Sequence, residues 1–232
     1  DTPAPPPIAS IVVTQALMID DFEQNNAKPN TLGYWSDLWY PENDGSCGFM
    51  PDRTDAAWYD NQGGMIYFAN GPGHTSNMTW YTGLATNVPY YDLAATSLYV
   101  RFWIKGGGAV IDKVILQGPD SARFAQVAFS NYNGGTSIVG SDWSEVSIPV
   151  ADFAGDVHGG FSPGMVAGVA LSFKRSTAPI TQYNVYLDEV QISPDPVSPP
   201  VRGAAATFPL MVDDFEQGNG NNNTIGLWSS LY

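Results

Sequence analysis

Ser97-Leu98-Tyr99-Val100-Arg101-Phe102-Trp103-Ile104-Lys105 sets the fold class. Leu98, Val100, Phe102 and Ile104 fall on one side of an extended chain, and Tyr99, Arg101, Trp103 and Lys105 on the other. Such a period of two marks a strand with one face in a core. The apolar first set is the core face, and the other set is an aromatic and cationic stripe. Outward from it, residues 65–69, 78–84, 110–116, 123–129, 144–150, 166–173 and 183–192 read as further strands. Turn sequences such as Gly71-Pro72-Gly73 and Asn131-Tyr132-Asn133-Gly134-Gly135 separate them. No stretch carries a helical period beyond a turn near 150–153, and residues 41–64 read as one long loop. Many short strands with turns between them predict an all-β chain, an antiparallel β-sandwich or jelly roll.

The ends of the chain show how it is organised. Leu17-Met18-Ile19-Asp20-Asp21-Phe22-Glu23-Gln24 returns as Leu210-Met211-Val212-Asp213-Asp214-Phe215-Glu216-Gln217, 193 residues later. The match continues at the same offset, with Asn30-Thr31-Leu32-Gly33 against Asn223-Thr224-Ile225-Gly226 and Trp35-Ser36 against Trp228-Ser229. A fixed offset of this kind is a tandem repeat. Residues 1–16 and 194–209 are proline-rich and read as extended spacers. One full unit is therefore expected over 17–193, and the opening of a second over 210–232. The second opening strand has no sandwich of its own, so it is expected to dock on another copy, head to tail.

Two strands break their period at acidic pairs. Leu17 and Ile19 share a face, yet Phe22 reaches the core only through a bulge near Asp20-Asp21. Tyr183, Val185 and Leu187 share a face, while Val190 and Ile192 need the other, and the break falls at Asp188-Glu189. Two bulges with clustered carboxylates suit one hard cation such as calcium. The plainer alternative is two solvated acidic strand ends.

Composition narrows the partners. Net charge is −14 and charged residues are only 14% of 232, while aromatic residues make up 13%. An acidic chain is a poor match for nucleic acid or an anionic membrane surface, which draw on Lys and Arg. No apolar run reaches the length that spans a bilayer. Cys47 is the only cysteine, so no intrachain disulfide forms. The proline-rich spacers and Asn/Gly/Thr-rich loops point to an exported protein, secreted or on a cell surface.

Four motifs in order complete the sequence picture. They are Met18-Ile19-Asp20-Asp21-Phe22-Glu23, then Leu98 to Lys105, then Ser141-Asp142-Trp143-Ser144-Glu145-Val146-Ser147-Ile148-Pro149 with Phe153, and the closing Val185-Tyr186-Leu187-Asp188-Glu189-Val190-Gln191-Ile192. Their order resembles the family 11 carbohydrate-binding modules, of the galactose-binding-like sandwich group. It is also shared with the sandwich domain of mitochondrial complex I assembly factors. The resemblance implies a calcium-stabilised jelly roll with Asp21, Glu23 and Asp188 at the metal, and a concave face that binds a β-glucan.

Rings bind pyranose faces while nearby polar groups take the hydroxyls. Tyr99, Arg101 and Trp103 would give such a platform, with Trp35, Trp39 and Tyr40 as a rim. The alternative is that this face packs under a loop. Glu145, Asp142, Asp112 and Glu189 lack any spacing that pairs them as a glycosidase needs, and His74 and His158 sit alone in Gly-rich loops. The expectation is a non-catalytic module for a neutral polysaccharide. The competing expectation is a structural repeat of a surface layer, adhesin or fibre, built by strand addition.

Overall fold

The computed structural model describes residues 10–24, 29–39, 46–58, 61–74, 76–83, 90–94, 97–175 and 181–196. The chain divides into two units, 1–197 and 198–232. All described residues belong to the first. The recurring segment 210–232, most of the spacer before it, the N-terminal prolines and Tyr40 lie outside the described residues.

In chain order the strands are β1 (Ser10–Val12), β2 (Leu17–Asp20), β3 (Ser36–Trp39), β4 (Cys47–Arg53), β5 (Gly63–Asn70), β6 (Met78–Gly83) and β7 (Tyr90–Asp92). There follow β8 (Tyr99–Lys105), β9 (Val110–Gln117), β10 (Phe124–Ala128), β11 (Ser144–Pro149), β12 (Val157–His158), β13 (Gly168–Lys174) and β14 (Thr181–Ser193). Among the described residues the only helices are two short 3-10 turns, Phe129–Tyr132 and Val150–Gly155.

Two antiparallel sheets form the sandwich. The first has the order β12-β10-β9-β13-β6-β3. The second has the order β11-β8-β14-β5-β4, with β2 also paired to β14. Alternation puts Leu98, Val100, Phe102 and Ile104 into the core from one side, and Trp80, Leu171, Phe173, Val114 and Leu116 from the other. Phe22 and Trp80 are buried in it and meet the half-buried Phe49 of β4, with ring centroids 5.9–6.4 Å apart.

Two segments read from sequence as spacer or loop contain strands. Ser10–Val12 pairs in parallel with Tyr90–Asp92, so the stretch after the prolines is not wholly linker. Cys47–Arg53 is the edge strand of the second sheet. Pro51 and a register shift between Met50 and Arg53 blur its alternation, which hides it in the sequence. Proline is tolerated there because an edge strand has a free side.

The breaks of period at the acidic pairs are real. Phe22 (φ 59°) and Glu189 (φ 53°) are the two non-glycine residues with positive φ among those described. One left-handed residue turns each strand over. Phe22 thereby becomes 1% exposed, and Val190 and Ile192 1% and 0%. The pairing of β14 with β8 jumps from Asp188 to Gln191 at the same place. Each such residue costs about 1–3 kcal/mol, which the burial of three large apolar side chains outweighs.

Candidate functional site

A trough crosses the outer face of the first sheet, and its shape follows from strand register. Tyr81 on β6, Ala170 on β13, Ile115 on β9 and Gln126 on β10 form one cross-strand row. Gly83, Gly168, Gln117, Phe124 and His158 form the next. On the central strand β13, Gly168, Ala170 and Ser172 point away from the core, and Gly168 and Ala170 are buried beneath the larger side chains of the neighbouring strands. A Cβ on Gly168 would lie 3.0 Å from the Gln117 Oε1 and 3.1 Å from the Thr82 carbonyl oxygen.

A cleft of about 580 Å³ is lined by Trp39, Thr79, Tyr81, Ile115, Phe124 and Gln126, among others. An adjoining hollow of about 440 Å³ shares Tyr81, Gln117, Asp120 and Ser121 with it and extends to Trp35. Trp39 and Trp35 are 62% and 55% exposed, the highest values among the described large hydrophobic residues. From β3 to β10 the trough spans four strand spacings, about 19 Å.

Polar contacts fix the walls. The buried Asn30 donates to Thr82 Oγ1 (2.8 Å) and the Gly83 carbonyl (2.7 Å), and its Oδ1 accepts from the Leu32 and Tyr34 amides (both 3.0 Å). That pins the loop carrying Trp35. Asp120 Oδ1 accepts the Ala122 and Arg123 amides (both 3.1 Å), and its Oδ2 lies 3.3 Å from Arg123 Nε. The carboxylate and the guanidinium lining the cleft thus offset each other. At the far end Phe124 stacks on His158, centroids 4.3 Å apart. Gln126 Nε2 donates to Asp156 Oδ2 (2.8 Å). That bond, followed by the contact with His158, holds the Asp156 carboxyl below its ordinary range.

The stripe of β8 is not such a platform, and this corrects the sequence reading. Arg101 is 2% exposed and bonds Glu145 Oε1 through both Nε (2.8 Å) and Nη2. Trp58, from the β4–β5 connection, stacks on Trp103 at 4.0 Å and lies 6.0 Å from Trp143. The Trp58 amide donates to Asp188 Oδ2 (2.7 Å), which anchors this cover. Tyr99 lines a different, mainly apolar cavity of about 570 Å³ with Leu93, Pro149, Phe153 and Phe161. Of the residues expected at a sugar site, Trp35 and Trp39 stand at the trough, and Tyr99, Arg101 and Trp103 do not.

No protein-family model matches the sequence. No curated protein matches it either. Among solved structures, the family 30 carbohydrate-binding module of the cellulosomal cellulase Cel9D-Cel44B of Clostridium thermocellum is similar at 19% identity. The match covers 77% of this chain and 97% of that one, with a TM-score of 0.51. The fold is similar to that of a carbohydrate-binding module. The family 11 module of the cellulosomal cellulase Lic26A-Cel5E from the same organism matches over 78% of this chain and 95% of that one, at 12% identity and a TM-score of 0.48. A family 11 module from that organism in complex with a β-1,3-1,4-mixed-linked tetrasaccharide gives 10% identity, 78% and 96% coverage, and a TM-score of 0.45.

In this module fold, acidic side chains gather where β2 meets β14. Asp20, Asp188 and Glu189 are buried. Asp20 accepts from the Phe22 amide (3.0 Å) and from Ser36 Oγ. Asp21 Oδ1 accepts from Gln24 Nε2 (2.6 Å), Thr31 Oγ1 (2.9 Å) and the Glu23 amide (3.2 Å). Glu23 Oε1 accepts the Asn61 and Gln62 amides (2.9 and 2.7 Å), and Asp188 Oδ1 accepts the Glu189 amide (2.8 Å). Burial pushes the Asp20 carboxyl up to about 7, against the pull of its bonds from Ser36 and Phe22. Burial, with the charges of Asp188, Asp21 and Glu23, pushes Glu189 up to about 8. The charges of Asp188, Asp21 and Glu23 all act on Glu189. Among the described residues no three Asp, Glu, His or Cys side chains form a group that holds a metal as they stand.

These raised values carry a sign. The folded chain keeps protons on Asp20 and Glu189 that the unfolded chain has released. Their contribution is full below the ordinary carboxylate pKa and is lost as pH rises through about 7 to 8. With a chelator present, the melting temperature is expected to fall over that window. Glu189→Gln flattens the fall, and an unchanged slope in that variant contradicts the assignment.

Proposed function

We propose that this chain is a non-catalytic module that binds a neutral polysaccharide, of β-glucan type, along the trough of the first sheet. The observation that carries the reading is the trough itself. Trp39, Tyr81 and Phe124 line it together with Thr79 and Ile115, with Gln117 and Gln126 placed for hydroxyl groups. Rings take the apolar faces of pyranoses, and amides take their edges. The span of about 19 Å fits a short run of about four sugar units lying across the strands. The paired Asp120 and Arg123 favour an uncharged chain. Asp120 is the only carboxylate among the described lining residues, whereas glycoside hydrolysis needs two that face each other. Affinity electrophoresis in gels containing mixed-linkage β-glucan tests the reading. Retardation is expected, and free migration through that gel and through other neutral glucans refutes it.

The proposal extends to calcium beside Asp21, Glu23 and Glu189, where β2 joins β14. The chemistry of the donor set supports it, being all hard oxygen and short of positive charge. A bound cation would offset the burial and the neighbouring carboxylate charges that together raise Glu189, and fasten the first strand to the last. Asp188 serves it indirectly, since its oxygens hold the Glu189 and Trp58 amides. Calcium at about a hundred times its dissociation constant should add about 2.7 kcal/mol, or several degrees of melting temperature. Equal melting temperatures in calcium and in chelator rule this site out.

The repeated opening strand and the proline-rich spacers support a third element of the reading, a tandem array of such modules outside the cell. Linked weak sites on one long polymer gain avidity without any new contact.

A further inference from the structure

We propose that the outer face of the second sheet carries a separate site for a carboxylate-bearing sugar of the uronic acid type, centred on Lys105. The site is independent of the trough and shares no residue with it. Lys105 on β8 pairs with Tyr186 on β14, and Trp143 stands just before β11 on the other side. The Lys105 Nζ lies 5.0 Å from the Trp143 ring centroid and 5.0 Å from that of Tyr186. Two rings therefore hold the ammonium in place without neutralising it.

A pocket of about 220 Å³ opens beside this cation, walled by Ser141, Gln182, Asn184 and Tyr186. Tyr183 and the backbone of Gly106 and Gly107 complete the wall. Gly107 has φ +52° and nothing within 4 Å of a Cβ, so the turn leaves the pocket open. The volume suits one sugar ring rather than a chain. Hydroxyl and amide groups suit ring hydroxyls, and the ammonium suits a carboxylate.

Among the described residues Lys105 forms no ion pair. Asp55 senses its charge but is held by Arg53 through Nε (2.8 Å) and Nη2 (2.6 Å). A cation that forms no ion pair with a described residue, in a chain of net charge −14, is placed to meet an anion from outside.

Calorimetric titration of the full chain with tri-galacturonate tests this, with cellotriose and sodium acetate as controls. Tri-galacturonate should bind, and more weakly as salt is raised. Lys105→Met should weaken it roughly tenfold or more. Gln182→Ala, at an exposed position, should weaken it several-fold and guards against a fold defect in the first variant. Trp39→Ala, in the trough, should leave it unchanged. Acetate binding as tightly as the trisaccharide would reduce the site to a simple anion contact and overturn the proposal. So would absent tri-galacturonate binding, or binding that survives both Lys105→Met and Gln182→Ala. None of these results bears on glucan binding in the trough.

Discussion

Trp39→Ala weakens binding of mixed-linkage β-glucan by roughly thirtyfold or more, the loss typical of removing a central tryptophan from a contact surface. Trp39 is 62% exposed at the end of β3, so its ring contributes little to the core and much to the trough wall. Tyr81→Ala should have a similar effect, because Tyr81 lines both the main cleft and the adjoining hollow. Neither change should lower the melting temperature by more than a few degrees. Affinity electrophoresis reads the loss and circular dichroism the fold. The recurring segment keeps an aromatic residue at the Trp39 position, Tyr232, which a sugar platform and a packing role would both accept. Full glucan retention by Trp39→Ala and Tyr81→Ala together would remove the trough from the account.

Phe22→Ala destabilises the chain by about 3–5 kcal/mol. Over a unit of this size that is roughly 10 °C of melting temperature. Three features set the size of the effect. The ring is 1% exposed and touches Phe49 and Trp80. It also packs over Gly64, where a Cβ would come within 2.7 Å of its Cε1. The backbone at φ 59° is strained for phenylalanine, and alanine keeps that strain while losing the burial that offsets it. Phe22→Leu should lose less. A melting temperature within 2–3 °C of the parent for Phe22→Ala would mean that the reversal of β2 does not anchor the core, against the expectation from core truncation.

How much of this was legible depends on the range of the interactions involved. The alternation in β8 reports its own two faces, so the core and the sandwich class can be read from it. The reversals at Phe22 and Glu189 are legible for the same reason, since apolar residues sit on both parities of one strand. The residues that recur at 193-residue spacing include Asp20, Asp21, Asn30, Thr31 and Ser36. With Thr82 of β6 they form the polar network that ties β2 and β6 to the loop around Trp35, so the repeat marked real contacts.

The trough was not legible. It depends on β6, β13 and β9 lying side by side, although β13 follows β9 by some fifty residues of chain. Tyr81 on one strand and Gly168, Ala170 and Ser172 on another mean nothing until that order is known. The β8 stripe was misread because its cover, Trp58, comes from a distant connection held by Asp188. A local pattern shows that a face exists but not what lies over it. Arg101 carried a warning, since Glu145 on the partner strand sits two residues from its own cross-strand position.

The most direct test follows the indole N–H signals of the full chain by NMR while the β-1,3-1,4-mixed-linked tetrasaccharide is added. The account predicts that the Trp35 and Trp39 signals shift progressively, while those of buried Trp80 and of Trp58, Trp103 and Trp143 on the second sheet stay in place. Shifts confined to Trp58, Trp103 and Trp143, with Trp35 and Trp39 unmoved, would contradict it.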